Sequence, residues 1–592
     1  MSDSAPDPGT RPTSFVARIE DGAIIVALLL LAIVPTAQVI TRLLFDAALP
    51  SANDYIKHLV VWVACLSGLV ATRERHHLSL SAGLPKLPSP YDRWAVLAAT
   101  TITVAVTTAI TVSAASFTLI GFDPHARVGV LPKRAVLAIL PIGFGLMALR
   151  TAVASARPKE QDRSGSAGIA AAVLGGVLGT VFALQPLVTL IIELSWEIGS
   201  GLPALEAPLL DLADTVSGTV RSLRVPLLIV MIVSAVAGVP IFAVLGGIAL
   251  LMFASNGVLE TVPDEAYVML IGAHVPALPL FAVTGFVLSE SGAGRRLIEL
   301  CTAVFSRFRG GLIIAATLIC AYFTTFTGAS GVTILAVGGL LAALLAQSGF
   351  RKDLSTGLLT ASGSIGLLFP PSLPIIMYGV VSQNNIKAMF AGGIGPGILM
   401  VFAVIAFALV RARRMARNSP APDAAQPPRA APADAGSGDP VPLRTVGRAL
   451  RHAGWEVALP LIILGLLFGG ITTLVETAAV AVVYLLVVQI FIHRDLSVRD
   501  LPRLFARAAP IIGGILVILG VAKALSFAIV DAQVPQALVQ WFSDHVRSPY
   551  TFLILLNLTL LIAGCLMDIF SAIVVLAPLL IPIGPVLRAG PD

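Results

Sequence analysis

Long apolar runs recur along this chain and constrain its fold more than any other feature of the sequence. Runs with almost no charge include Ile24–Val34, Ala95–Val112, Val225–Leu251 and Phe552–Leu566. A helix needs about 20 mostly apolar residues to cross a bilayer, and at that length the chain divides into roughly 14–16 crossings or half-crossings. Charged residues make up 12% of the sequence, whereas soluble domains carry roughly 25%. We therefore predict an all-α polytopic membrane protein.

Other parts of the composition exclude several alternative classes. Segments of alternating polar and apolar residues are too few for an outer-membrane barrel. The net charge of +6 comes from basic residues in short loops, so it does not indicate a nucleic-acid partner. Residues 1–14 are polar and Pro-rich, which predicts a disordered N-terminus and not a cleavable signal peptide. The cysteines lie in apolar runs without C-x-x-C spacing, which favours buried apolar positions over a disulfide or a metal site.

The basic residues of the first part of the chain predict its orientation. Arg11 and Arg18 precede the first apolar run, Arg73 follows the second, and Arg150 begins a basic loop after the fourth. Successive basic sites are separated by two crossings, so all of them fall on one side. Because basic loops face the cytoplasm, we predict a four-helix domain with a cytoplasmic N-terminus and with residues 123–125 on the opposite side.

Changes in composition divide the chain into six parts. These are a disordered N-terminus (1–14), a four-helix domain (15–150), a connector with a fifth helix at Gly168–Leu194 (151–224), a first apolar half (225–417), a disordered cytoplasmic linker (418–450) and a second apolar half (451–592). The linker is rich in Ala, Pro and Asp without an apolar period, and this composition is typical of disorder.

The stretch from Thr327 to Ser372 is apolar but unsuited to a continuous helix. It begins T-G-A-S-G-V-T and ends G-L-L-F-P-P-S. In a helix interior Gly costs about 1 kcal/mol and Pro about 3 kcal/mol relative to Ala, and the Pro-Pro pair also removes two N–H donors. Broken backbone persists in a membrane only where protein or a wet cavity surrounds it. Two breaks therefore predict a binding site of the kind that secondary transporters use, although Gly and Pro are also common in ordinary membrane helices.

The second apolar half repeats the pattern of the first at an offset of 236 residues, from Gly328 to Gly564 (564 minus 328). Each glycine follows an apolar run and precedes a short break and a further run. Weak repeats of this kind are typical of inverted-repeat transporters. The counterparts of Gly366 and Pro370 would fall beyond Asp592, so we expect the second half to be truncated or to lack one half-site.

Several phrases of the sequence together carry a resemblance to one family. They are W-V-A-C-L-S-G-L-V-A-T-R-E-R-H-H-L-S-L (62–80), L-P-L-F-A-V-T-G (278–285), S-G-A-G-R-R-L (291–297), R-G-G-L (309–312), F-P-P-S-L-P-I-I-M-Y-G-V-V (369–381), E-T-A-A-V (476–480) and M-D-I-F-S-A-I-V-V-L-A-P-L-L-I-P-I (567–583). The chain resembles a fused membrane subunit, of the QM type, of a tripartite ATP-independent periplasmic (TRAP) transporter. Residues 15–150 resemble the small subunit, and residues 225–592 resemble the large one.

The resemblance implies an elevator-type secondary transporter that is coupled to Na⁺ and has no organic cofactor. Its cargo would be an organic acid, such as a C4-dicarboxylate or sialic acid, delivered by a periplasmic substrate-binding protein. An ion-coupled anion transporter of another inverted-repeat class, which needs no binding protein, is the alternative. The sequence contains no G-x-S-x-G motif, no H-E-x-x-H motif and no P-loop lysine, so we do not expect an enzyme or an ATPase.

The two breaks supply the first group of candidate site residues. Gly328, Ser330 and Thr333 offer a kinked backbone and two hydroxyls. We predict that Na⁺, a hard cation, binds the Ser330 hydroxyl and backbone carbonyls of the second break; helix packing by small residues is the alternative. The residues predicted from the second break are Gly366, Phe369, Pro370 and Pro371, with Ser372 and Tyr378 as weaker candidates for polar lining.

Ionisable residues inside apolar segments supply the remaining candidates, because such residues are costly in a membrane and usually functional. We predict that Asp568 and Ser571, near Gly564, form a second cation site; capping of a broken helix is the alternative. Glu476 belongs to the candidate site but could equally cap a helix that begins at Thr477. Lys523, where the family is generally uncharged, could meet a substrate carboxylate or extend to a membrane interface.

Overall fold

The computed structural model describes residues 15–74, 91–156, 165–197, 199, 203–305, 308, 310–328, 330–348, 350–418, 443–545, 548–566 and 569–581. The prediction of an all-α membrane protein is confirmed, because helices joined by turns and one small hairpin account for these residues. Among them, nine helices are long and apolar enough to cross a membrane. The number rises to as many as 13 when each of four bent helix pairs is counted as one span.

The four long apolar runs of the first domain form the predicted helices. The elements are α1 (Phe15–Phe45), α2 (Ala52–Glu74), α3 (Tyr91–Ile120), a hairpin of β1 (Arg127–Val128) and β2 (Leu131–Pro132), α4 (Lys133–Leu137) and α5 (Ile139–Ala156). At one end of this domain, Arg73 of α2 lies 2.7 Å from Asp21, and Arg150 of α5 pairs with the buried Glu20 of α1. These ion pairs hold α2 and α5 against the start of α1.

The connector differs from its prediction. Gly168–Leu194 was predicted as one fifth helix, but the structure has α6 (Gly165–Phe182) and α7 (Leu184–Glu197), bent by 64° relative to each other. The bend follows from Pro186, which has no N–H to donate to the carbonyl of Phe182. After the turn come α8 (Pro203–Ser222) and α9 (Arg224–Val236), which are bent by 67°.

In the first half of the large domain, the described residues between 241 and 418 form ten helices. They are α10 (Ile241–Ala254), α11 (Thr261–Leu270), α12 (Ala277–Glu290), α13 (Ala293–Phe305), α14 (Gly311–Thr327), α15 (Ser330–Thr333), α16 (Gly339–Gln347), α17 (Lys352–Ser362), α18 (Leu373–Ser382) and α19 (Ile386–Asn418). A π-helical turn at Ile334–Gly338 joins α15 to α16, and a 3₁₀ turn at Ile365–Leu368 follows α17.

The second half contains six helices among the described residues, namely α20 (Leu443–Phe468), α21 (Leu474–Val487), α22 (Leu501–Asp531), α23 (Val534–His545), α24 (Pro549–Leu566) and α25 (Ile569–Leu580). The predicted linker, residues 418–450, overlaps these elements at both ends: α19 runs to Asn418 and α20 begins at Leu443, while residues 419–442 lie outside the described part of the chain.

Helix α22 is the central element around which the two domains pack. Of the most apolar stretch of α22, 78% is buried inside the protein. The helix contacts α2, α10, α11 and α12. A Cβ atom built at Gly513 would lie 2.2 Å from the carbonyl carbon of Ser67 in α2. Helices approach this closely in membranes only where small residues face each other. The four-helix domain is therefore packed tightly against the second half of the large domain.

Candidate functional site

The first predicted break lies at Gly328. Helix α14 ends there because Gly328 adopts a φ of 66° in the left-handed region, with its N–H donating to the Thr324 carbonyl. Glycine adopts this conformation without a steric penalty. A Cβ atom at Gly328 would also lie 2.6 Å from Cδ1 of Leu373. The break therefore depends on glycine for both backbone conformation and space, and Leu373, at the start of α18, packs directly on it.

The second predicted break lies at the two prolines. After the 3₁₀ turn, Phe369 is extended at φ −95° and ψ 142°, as expected for a residue that precedes proline. Pro370, Pro371 and Ser372 are buried, and Ser372 is the N-cap of α18. The axis bends by 44° across this segment. The ring of Phe369 packs on α19 at Gly397, where an added Cβ atom would lie 2.9 Å from the ring.

The fold brings the two breaks together. A Cβ atom at Gly366 would lie 2.1 Å from the Ala321 carbonyl oxygen and 2.6 Å from the Thr325 nitrogen, so the second break rests directly on the backbone of α14. The Thr325 hydroxyl has two acceptors for its one hydrogen, the Ala321 carbonyl at 2.8 Å and the Gly366 carbonyl at 3.1 Å. One turn away, Cβ of Ser330 would lie 3.5 Å from a Cβ atom at Gly363. Ser330 and Gly366 thus belong to one local structure.

Buried hydroxyls line the junction of the two breaks. The Thr333 hydroxyl lies 2.9 Å from the hydroxyls of both Thr324 and Thr327. Beside them, Ser362 donates to Thr317 at 3.5 Å, and all of these side chains are buried. Thr333 was predicted from the sequence, but the threonines of α14 were not. The T-T-F-T phrase that ends this helix was the available signal, because it places three hydroxyls next to the break.

The carbonyl that prolines were expected to free is not free in this conformation. The Gly366 carbonyl accepts from the Phe369 N–H at 3.1 Å as well as from Thr325, and a carbonyl oxygen has two lone pairs. Cation binding at this oxygen is compatible with the Thr325 hydroxyl donating instead to the Ala321 carbonyl, which lies 2.8 Å away. Ser372 offers an oxygen without this competition, because its buried hydroxyl has no hydrogen-bond partner among the described residues. Buried polar atoms of this kind call for an explanation such as a ligand.

Glu476 lies in a different environment from the two breaks. It occupies the third position of α21, where its carboxylate accepts from the Thr473 N–H while its own N–H donates to the Thr473 hydroxyl. Arg42 of α1 donates to both carboxylate oxygens at 2.8 and 2.9 Å. The structure therefore supports capping, with the helix beginning at Leu474 and not at Thr477. The contacts of Glu476 join the two domains instead of lining the breaks.

The second predicted cation site is only partly described. Gly564 was paired with Gly328, but it lies inside α24, which continues to Leu566. Gly564 is therefore helical, whereas Gly328 ends its helix, and the residues between α24 and α25 lie outside the described part of the chain. Asp568 lies outside the described residues. Ser571 is fully buried in α25, and its hydroxyl has no hydrogen-bond partner among the described residues.

Two known families match this chain, and together they cover most of it. Residues 31–159 match the family described as tripartite ATP-independent periplasmic transporters, DctQ component. Residues 227–590 match the family described as tripartite ATP-independent periplasmic transporter, DctM component.

Individual relatives agree with these matches. The isethionate TRAP transporter permease protein DctMQ of Oleidesulfovibrio alaskensis is 26% identical over 556 residues, which cover 92% of this chain and 78% of that protein. The C4-dicarboxylate TRAP transporter large permease protein DctM of Rhodobacter capsulatus is 30% identical over 348 residues, covering 56% of this chain and 74% of the relative. The ectoine/5-hydroxyectoine TRAP transporter large permease protein UehC of Ruegeria pomeroyi is 28% identical over 334 residues, covering 56% and 74%.

Proposed function

This chain belongs to the tripartite ATP-independent periplasmic transporters, with both membrane components in one polypeptide, and we propose that it couples uptake of a small organic acid to a Na⁺ gradient. The relatives described above are permeases and not enzymes. Their names include isethionate, C4-dicarboxylates and ectoine, so small acids and similar compact polar molecules define the range of cargo to be tested.

The observation that carries the proposal is the junction of the two helix breaks. There the Thr325 hydroxyl lies 3.1 Å from the Gly366 carbonyl oxygen, and the Thr333 hydroxyl lies 2.9 Å from those of Thr324 and Thr327, all of them buried. Hydroxyl and carbonyl oxygens suit hard cations. Na⁺ bound between the breaks would hold α14 against the turn before α18 and would so link cation binding to the conformation of both segments.

The orientation of the first domain in the membrane determines where the acid would be delivered and which helices would move. The basic residues Arg73 and Arg150 lie at one end of the first domain, near the start of α1, which supports a cytoplasmic N-terminus. The β1–β2 hairpin then faces the periplasm, where a substrate-binding protein would deliver the acid. In an elevator mechanism, the segments that carry the breaks would move while α1, α2 and α22 stay fixed, consistent with the close packing of α2 on α22.

Reconstituted uptake tests the coupling. The full chain is placed in liposomes with a candidate binding protein from a neighbouring gene, and uptake of labelled succinate, isethionate and ectoine is measured under an inward Na⁺ or K⁺ gradient. We expect uptake only with Na⁺. Thr325→Val should raise the Na⁺ concentration for half-maximal uptake about tenfold, which corresponds to about 1.4 kcal/mol.

The control for this variant is Thr360→Val, which removes an exposed hydroxyl from α17 and should leave Na⁺ dependence unchanged. Equal uptake in K⁺ would overturn Na⁺ coupling. Uptake without the binding protein, at the same rate as with it, would favour an anion transporter that works alone.

A further inference from the structure

A cavity of about 180 Å³ lies between α11, α18, α22 and α25. This volume is well above the roughly 10–15 Å³ that a single water requires, so the cavity has room for a small molecule. Its walls include the C-terminal end of α18, which follows the double-proline break, and α25. A further wall is α22, the central packed helix. The cavity therefore lies where α18 and α25 meet α22.

The cavity combines an apolar lining with a few polar groups from the end of α18 and from α22. Val530, Val574 and Pro578 contribute apolar surface, whereas Ser382, Gln383, Lys523 and Ser526 contribute polar atoms; all seven line the cavity. The Ser382 hydroxyl is shielded from solvent and has no hydrogen-bond partner among the described residues. Few polar groups placed in an apolar recess are typical of small-molecule sites.

Lys523 is the charged group of this cavity. A lysine near the centre of a membrane helix costs about 2.5–3.5 kcal/mol on insertion scales, and such residues usually pair or line a pathway. Its Nζ lies 3.9 Å from Oε2 of Glu265 in α11, and its side chain is 36% exposed. Close pairs elsewhere in the chain, such as Arg42 with Glu476 at 2.8 Å, are much shorter. The ammonium has three donors, so this long contact leaves it able to bind a further anion.

We propose that Lys523 binds the carboxylate or sulfonate of the transported acid in this cavity, with Ser382 as a second polar contact and the apolar wall against the carbon chain. This inference rests on the proposed function and adds the anion-binding residue to it. Glu265 then has a specific part: it neutralises Lys523 when the cavity holds no acid, and it competes with the acid for the same ammonium. A purely structural Lys523–Glu265 pair would have no such competition.

Four variants of the full chain separate these two roles. Lys523→Met removes the charge at similar length, Lys523→Arg keeps it, and Glu265→Gln removes the competitor. Lys387→Met makes the same substitution at an exposed lysine at the start of α19 and serves as the control. Each purified variant is titrated with succinate or isethionate in Na⁺, with succinamide as the uncharged probe, and the dissociation constant is obtained from the ligand-dependent shift in Tm. The KM for uptake is measured in liposomes.

We expect Lys523→Met to raise the Kd and the KM at least tenfold, and Lys523→Arg to stay within a few-fold of the wild-type protein. Glu265→Gln should lower the Kd several-fold, and Lys387→Met should not change it. The proposal is overturned if Glu265→Gln and Lys523→Met weaken binding alike, or if no probe shifts the Tm of the wild-type protein. A Lys523-dependent Tm shift without Na⁺-driven uptake would contradict the transport proposal alone. Uptake with an unchanged KM in Lys523→Met would contradict the anion site alone.

Discussion

The two breaks can meet because Gly366 has no side chain. Gly366→Ala would place a methyl group 2.1 Å from the Ala321 carbonyl oxygen and 2.6 Å from the Thr325 nitrogen, both backbone atoms of α14. Neither can move without shifting the helix. Overpacking of this kind costs typically about 1–3 kcal/mol. We expect Gly366→Ala to lower the Tm and to abolish any increase in Tm caused by Na⁺.

The control for this variant is Gly357→Ala in α17, where a Cβ atom would meet nothing within 4 Å. Alanine is favoured over glycine in a helix by about 1 kcal/mol, so this variant should keep or raise the Tm and keep its response to Na⁺. Thermal unfolding of both purified variants, with NaCl and with KCl, provides the measurement. A normal Na⁺ response in Gly366→Ala would show that the contact between the breaks is not needed for cation binding.

Individual residues of the site were predictable from the sequence only where their chemistry is unusual for a membrane helix. Gly328, Pro370 and Pro371 stand out because each breaks a helix by its own backbone properties. Thr325 does not stand out, since a threonine in a membrane helix normally satisfies its hydroxyl on its own backbone. Its contact with Gly366 depends on the packing of two segments 41 residues apart. The partner of Glu476 was equally hidden, because Arg42 lies in the other domain.

At the scale of the element, the elbow between α12 and α13 links the second half of the large domain to the first break. These helices are bent by 72° at Ser291 and Gly292. Beyond the elbow, Arg296 donates to Glu456 at 2.6 Å and to Asp495 at 2.7 Å. Before it, a Cβ atom at Gly285 would lie 2.6 Å from the Phe326 carbonyl oxygen, next to the break at Gly328. The charged contacts therefore hold α13, and the elbow joins α13 to α12, which packs against the break.

The ion pairs at this elbow should differ greatly in their contribution to stability. Arg296→Met would leave Glu456, which is 0% exposed, without the guanidinium that pairs with it. Removing one partner of a buried pair costs about 3–5 kcal/mol. Arg507→Met removes the pair with Glu290, whose side chains are 36% and 39% exposed, and such exposed pairs contribute about 0–1 kcal/mol. We expect a large fall in Tm for the first variant and a small one for the second.

Chemical denaturation in detergent would measure both variants as changes in the free energy of unfolding. Equal losses would mean that Glu456 finds another partner or becomes protonated when Arg296 is absent. The double variant Arg296→Met/Glu456→Gln tests whether the unpaired charge of Glu456 causes the loss. If it does, removing both charges should recover part of the stability that Arg296→Met alone loses.

Helices themselves were predicted better than their interruptions. Apolar runs determine where a helix can lie in a membrane, and α1, α2 and α3 follow them closely. The bend at Ala183 was missed because a proline within an apolar run either kinks or ends a helix, depending on tertiary contacts. Here Gln185 donates its side-chain N–H to the Gly257 carbonyl, which ties the start of α7 to the turn after α10. The sequence alone does not show whether the proline kinks the helix or ends it, because tertiary contacts decide between the two.

At the scale of the whole molecule, the contacts between the two components include apolar packing, hydrogen bonds such as that of Ser116 to Glu260, and an ion pair with a second function. Helix α2 packs on α22 through Gly513, and α1 packs on α21, where Arg42 binds Glu476. The Glu476 side chain is 5% exposed and that of Arg42 is 39% exposed. Because Glu476 also caps α21, its removal disturbs both a helix start and the contact between domains.

A double-mutant cycle separates these two contributions. Glu476→Gln keeps an acceptor for the Thr473 N–H, as glutamine does in a capping box, but it lacks the charge that Arg42 binds. Glu476→Ala removes both, and loss of a cap costs about 1 kcal/mol. We therefore expect Arg42→Ala and Glu476→Gln to destabilise the protein similarly, with a coupling energy of about 0.5–3 kcal/mol, and Glu476→Ala to destabilise it further.

The exposed pair of Arg351 and Asp353 provides the control, because its side chains are 64% and 80% exposed and its coupling should be close to zero. The free energy of unfolding of each single and double variant gives the coupling directly. Additive losses at Arg42 and Glu476 would mean that this ion pair does not help to join the components. A positive coupling, together with slower uptake in Arg42→Ala at unchanged Na⁺ affinity, would instead mean that the small component acts through the position of α21 and α22. That position also sets the wall of the cavity that contains Lys523, so a loosened small component should raise the KM for the acid while leaving the cation site intact.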